Sequence, residues 1–176
     1  MSAPVITVFG SGTCLPDTLG YRSAHALGRA IAEAGWTLCN GGYGGTMEAA
    51  AKGAREAGGH TIGVSCRIPP WQMSCNRYVQ QEVPTFSLLA RLDILLRLGD
   101  AYVVLPGGTG TLLEFALVWE FVNKGLFDRR PPIVLLGDHW TPVIGPVQRE
   151  QPAALDPLIA RNPAEVVELL RGVLKT

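Results

Sequence analysis

At 176 residues the chain has the length of one domain and can bury about 70% of its unfolded surface. With 47% apolar and 17% charged residues, it has the composition of a globular protein with a substantial core. Fifteen basic and fifteen acidic residues cancel, with no basic tract or acidic tail, which argues against binding a nucleic acid polymer by bulk electrostatics and leaves open a nucleotide-sized ligand held by backbone amides.

The opening Met1-Ser-Ala-Pro4 carries no positive charge, and the apolar stretch after it is too short for a signal peptide, so a cytoplasmic protein is expected. No apolar run reaches membrane-spanning length, so no membrane partner is expected. Val5–Phe9 reads as the first strand and empties into Gly10-Ser11-Gly12. Residues 21–34 carry Ala24, Leu27, Ile31 and Ala34 at helical spacing. A second strand over 36–39 leads into Asn40-Gly-Gly-Tyr-Gly-Gly-Thr-Met-Glu48, and an alanine-rich helix follows over 47–57. Residues 61–64 read as a third strand, and the proline-rich stretch 67–84 as an irregular segment and candidate flap over a site. Leu88, Leu92, Leu95 and Leu96 form one stripe of a helix over 86–98. Strands over 101–105 and 132–136 flank a further helix, and Asn162-Pro-Ala-Glu165 supplies N-cap, N1 proline and N3 acid for a last helix ending at Leu174.

The strands are short continuous apolar runs, as in strands buried on both faces, and they alternate with helices. The expected fold is therefore a single-domain, Rossmann-like α/β structure over 1–176, a doubly wound parallel sheet with helices on both faces. Ligands of such sheets bind beyond the carboxyl ends of the strands, where all three glycine loops fall.

The third of these loops, Pro106-Gly-Gly-Thr-Gly-Thr-Leu-Leu-Glu114, carries the most chemistry. Glycines let backbone approach a ligand, and the free amides of a helix start attract an anion. Gly107, Gly108, Thr109, Gly110 and Thr111 are thus candidate phosphate contacts, although a plain tight turn would use the same glycines. Gly10 and Ser11 after the first strand, and Gly44, Gly45 and Thr46 before the second helix, are candidates of the same kind. Glu114, read just inside the helix, fits either a dipole-favoured first-turn acid or a group that works on the bound substrate.

The string Pro106–Glu114 fits PGGxGTxxE, and with it the chain resembles the Lonely Guy (LOG) family, whose characterised members are cytokinin riboside 5′-monophosphate phosphoribohydrolases and many of which are mislabelled lysine decarboxylases. The resemblance runs over about 5–136, with 40–48 similar to the family's second glycine loop and Phe9-Gly-Ser-Gly12 with Tyr21 to its opening. It implies that Glu114 and Arg91 are catalytic, Arg91 standing nine residues before Asp100 as the family's arginine does before its aspartate. Eight helical steps of about 12 Å and a five-residue strand of about 17 Å would return Arg91 to the Glu114 rim. The alternative for Arg91 is a flank side chain snorkelling from Leu88 and Leu92.

The resemblance further implies homodimers, a nucleoside 5′-monophosphate or another phosphorylated small molecule as partner, and no metal or other cofactor. Around the expected pair the chain departs from the pattern. Leu88-Leu-Ala-Arg-Leu92 replaces a Met-His-Glu-Arg-Lys string, Thr109 the usual tyrosine, and Leu113 and Leu117 common acids. These changes bear on the substrate more than on the cleavage. The chain is also similar to molybdenum cofactor carriers, which hold a phosphorylated pterin, so a carrier or a nucleotide-binding protein without turnover is the alternative.

Other chemistries find no support in the residues. Gly10-Ser-Gly-Thr-Cys-Leu15 lacks the third glycine of a dinucleotide fingerprint, and no acid follows the second strand. No Walker string occurs, and Lys52, Lys124 and Lys175 are poorly placed for a pyridoxal Schiff base. His25, His60 and His139 are dispersed, and Cys14, Cys39, Cys66 and Cys75 lack metal or disulfide spacing. Trp71 and Met73 in the 67–84 segment fit either base contact or core cover, and Trp119 and Phe121 either core or a dimer face.

Overall fold

The computed structural model describes residues 3–69, 71–72 and 74–174. Along them run β1 (Val5–Phe9), α1 (Leu19–Glu33), β2 (Thr37–Asn40), α2 (Thr46–Glu56), β3 (Thr61–Ile68), β4 (Trp71–Gln72), β5 (Gln81–Thr85), α3 (Leu88–Leu98), β6 (Ala101–Val104), α4 (Thr109–Asn123), β7 (Ile133–Leu136), α5 (Thr141–Glu150), β8 (Leu158–Ala160) and α6 (Pro163–Leu174). Seven strands pair in parallel in the order β5–β3–β2–β1–β6–β7–β8, while β4 pairs antiparallel with the far end of β3. This is the expected doubly wound α/β sheet. The chain winds outward from β1 through β2 and β3, then returns to the other side of β1 with β6.

Alternation along each strand builds two cores. Ile6, Val8, Leu38, Ala101, Val103, Val134 and Leu136 face α1, α2 and α6, while Phe9, Cys39, Tyr102, Val104, Ile133 and Leu135 face α3, α4 and α5. Helices α1 and α2 approach so closely that a Cβ on Gly28 would overlap the Ala50 carbonyl. The last helix starts as its sequence suggests, with the Asn162 side chain accepting from the Glu165 N–H at 3.0 Å.

Two expectations need correction, and two elements went unread. The 67–84 stretch is not wholly irregular: β3 runs on to Ile68, and Gln81–Thr85 forms β5. Pro84 is tolerated there because, among the described residues, β5 pairs only with β3 and lies at the sheet edge. Glu114 is not a first-turn residue, because α4 already begins at Thr109. Finally, β8 and α5 carried too little pattern to be read, α5 holding Pro142 at its start and Pro146 inside it. Among the described residues no helix is long and apolar enough to cross a membrane.

Candidate active site

The winding direction reverses between β1 and β6, whose last residues Phe9 and Val104 are register partners. The loops leaving them diverge at the carboxyl rim, where a sheet of this kind opens a crevice. On the α1 side of that crevice lies a cavity of about 510 Å³, its wall including Ser11, Thr46, Gly107, Leu136, His139 and Arg161.

Two helices start at this rim from glycine N-caps, α4 from Gly108 and α2 from Gly45, and neither start is closed by a side-chain hydrogen bond. The first-turn amides of α4 therefore keep their pull on an anion, while at α2 a backbone carbonyl takes the first amide and leaves those behind it. Gly45 has φ +66, a left-handed conformation that suits glycine, and its missing side chain leaves room for the Ser11 carbonyl. That carbonyl accepts both the Thr46 N–H at 2.8 Å and the Thr46 hydroxyl at 3.0 Å. Thr46 thus ties α2 to the loop after β1, against which Gly10 leaves room for its hydroxyl. The Ser11 hydroxyl stands 3.2 Å from that of Thr13. In the third loop a Cβ on Gly107 would collide with the Thr111 hydroxyl, which is how Thr111 stays buried beneath the turn while Thr109 and Gly110 are exposed above it. Gly44 is half-buried beside the first loop.

Behind the turn, Arg91 of α3 and Glu114 of α4 meet. Arg91 Nη1 donates to Glu114 Oε1 at 3.0 Å, with the two residues only 7% and 8% exposed. Arg91 Nε donates to the Val64 carbonyl of β3 at 2.9 Å. Burial pushes the Glu114 carboxyl above the usual range, and the Arg91 charge and hydrogen bond offset part of the rise. A buried carboxylate held by a cation, one helical turn and a half from the start of α4, can both stabilise developing positive charge and take a proton.

Several residues of the site escaped sequence reading. Asn40 accepts the Gly42 N–H at 2.8 Å, and its amide donates to the Met47 carbonyl at 2.9 Å. The Asn76 amide donates to the carbonyls of Gly42 and Tyr43, each at 2.9 Å. The 74–80 stretch thus clasps the second glycine loop. His139, one of the three dispersed histidines, lies 3.2 Å from the Gly107 carbonyl through Nε2. Its place after a strand's carboxyl end was a usable signal, whereas Arg161 depended on the unrecognised β8. Met73 and the side chain of Trp71 lie outside the described residues. Trp119 is core, stacked on Phe115 at 5.2 Å. Lys52 and Lys124 pair along the helix surface with Glu56 and Glu120. The four cysteines are free, and among the described residues no group of three or more His, Cys, Asp or Glu is arranged to hold a metal.

The comparisons with known proteins agree with this architecture. The model of the SLOG cluster4 family matches residues 3–153. A cytokinin riboside 5′-monophosphate phosphoribohydrolase of Mycobacterium tuberculosis is 36% identical over 118 residues, which span 66% of this chain and 62% of that protein. One of the same name from Rhodococcoides fascians is 32% identical over 139 residues, or 76% of this chain and 68% of that protein. Among solved structures, the molybdenum cofactor carrier protein of Chlamydomonas reinhardtii superposes with a TM-score of 0.79 at 28% identity, covering 99% of this chain and 100% of that one. With 151 consecutive residues matched, counting from 3 to 153, and relatives of the Lonely Guy type on either side of one third identity, the chain belongs to the SLOG cluster4 family.

Proposed function

We propose that the chain hydrolyses the N-glycosidic bond of a nucleoside 5′-monophosphate, releasing the base and ribose 5-phosphate. The supporting observation is the buried Arg91–Glu114 pair beside two glycine-led helix starts that no side chain caps. The 5′-phosphate sits on the amides of the glycine loops, with Ser11 and Thr109 as hydroxyl partners and Gly10, Gly44, Gly45, Thr46, Gly107, Gly108, Gly110 and Thr111 shaping the cradle. As the C1′–N bond breaks, its electron pair leaves with the base, and the Glu114 carboxylate stabilises the oxocarbenium-like ribose. The same carboxylate orients the attacking water, which bonds to C1′ and loses a proton as the base takes one up. Arg91 keeps Glu114 charged and in place despite its burial. The two named phosphoribohydrolases support this reading.

The full chain, 1–176, is taken as one such domain, working in the cytoplasm as a homodimer on a small phosphorylated molecule. A prenylated adenine nucleotide is the finer substrate suggestion. Replacing Glu114 by Gln keeps the shape and an oxygen acceptor for Arg91 but removes the charge. Turnover is expected to fall by at least a thousandfold with AMP binding kept within a few-fold, and unchanged turnover would sink the assignment.

A second reading has its own support in the full-length likeness to a molybdenum cofactor carrier. A carrier would hold a phosphorylated pterin on the same loops without cleaving it. Purified protein with pterin fluorescence and no base release would favour it.

A further inference from the structure

Arg91 owes its orientation to more than Glu114 and Val64. The guanidinium carbon lies 5.5 Å from the centroid of the Tyr43 ring, within cation–π range. On another side is Gly41, where a Cβ would collide with Arg91 Nη2. Tyr43 is itself fixed at its far end. Its hydroxyl accepts the Cys66 N–H at 2.6 Å and donates to the Cys66 carbonyl at 3.3 Å. Cys66 lies two residues beyond Val64, whose carbonyl accepts from Arg91 Nε, so one stretch of β3 holds both the tyrosine and the arginine. At its root the Tyr43 backbone is held by Asn76. The ring is thus a braced wall, pinned at both ends, against the guanidinium.

The geometry points to Tyr43 as a positioning residue: it holds the Arg91 guanidinium on Glu114 through its ring, and its hydroxyl sets the ring through Cys66. The assignment rests on the proposed role of the Arg91–Glu114 pair, while the contact it invokes can be measured without turnover. A plain loop-packing tyrosine would affect folding alone. A positioning tyrosine acts through Arg91, so its effect vanishes when Arg91 is gone.

Tyr43→Phe, Tyr43→Leu, Arg91→Ala and the Tyr43→Leu/Arg91→Ala double variant separate these roles. Tyr43→Leu is expected to lower kcat roughly tenfold with KM within about threefold, and Tyr43→Phe, which keeps the ring, to fall between it and wild type. In the Arg91→Ala background, Tyr43→Leu is expected to change kcat by less than about twofold. Equal losses in both backgrounds, or a rise in KM with kcat unchanged, would overturn the proposal. The arginine Nε–H resonance of Arg91, identified by its loss in Arg91→Ala, gives a reading independent of hydrolysis. It is expected to be sharp and slowly exchanging in wild type, broadened in Tyr43→Leu and intermediate in Tyr43→Phe. An unchanged resonance in folded Tyr43→Leu rejects the positioning role whatever the turnover. Absent base release in wild type with a Tyr43-dependent resonance would instead overturn the hydrolase reading and leave Tyr43 as the brace of Arg91.

Discussion

A carboxyl buried as deeply as that of Glu114 would by itself favour its neutral form. The cation 3.0 Å away limits that shift without abolishing it, so the carboxyl remains above the usual glutamate range. In the proposed reaction the charged form is the working one, so activity should be full above this raised value and fall as pH drops through it. The acid limb of kcat/KM is thus expected above the ordinary glutamate value of about 4.3, and in Arg91→Ala residual activity should show that limb at still higher pH. A wild-type limb at or below the ordinary value would contradict the assignment of Glu114. Gly41→Ala addresses the other side of the pair, because its methyl group takes the space of Arg91 Nη2. Its kcat should fall at least tenfold with a melting temperature within a few degrees of wild type, and equal kcat would mean that Arg91 need not stay where it lies. At this scale the sequence was legible in part. The glycine string marked the strand-to-helix turn and made it a candidate anion site, whereas Arg91 was picked out by family register and only loosely by helix geometry. Tyr43 and Asn76 left no local signal, because what they do depends on β3 and the 74–80 stretch folding back over the second glycine loop.

Elements follow the same division between local and long-range information. β1, β2, β6 and β7 are continuous apolar runs because both faces of the sheet are covered, and they were readable for that reason. β5 is an edge strand containing a proline, and β8 has three residues of which two are exposed, so neither carries a core pattern. The small residues of α1 and α2 had a helical period, but their purpose became clear only in the packing of Gly28 on Ala50. Alanine at Gly28 should gain helix propensity yet force the helices apart. The net loss is expected to be about 2 kcal/mol, lowering Tm by roughly 5 °C. Gly172→Ala in α6, where nothing would meet the added methyl, should instead be neutral or raise Tm slightly. Thermal melts that rank the two variants the other way would contradict the packing described for α1 and α2.

For the whole molecule, the notable surface is the apolar one near the site. Leu88 and Leu89 at the start of α3 and Leu112 and Leu113 in α4 are exposed, although the Arg91–Glu114 pair joins these helices beneath them. Helix α4 is apolar on nearly every side, a pattern that suits a helix covered on every side. Sedimentation at micromolar concentration should give twice the chain mass, reduced to a monomer in a Leu89→Glu/Leu113→Glu variant, and a monomeric wild type would contradict the homodimer. The central proposal concerns the reaction. Its most direct test is incubation of the purified protein with AMP, other nucleoside 5′-monophosphates and an N6-prenylated one, following free base and ribose 5-phosphate by chromatography beside Glu114→Gln. Stoichiometric release of both products that disappears in the variant is the predicted result. Release that persists in Glu114→Gln, or no release by wild-type protein that still binds these nucleotides, would contradict it.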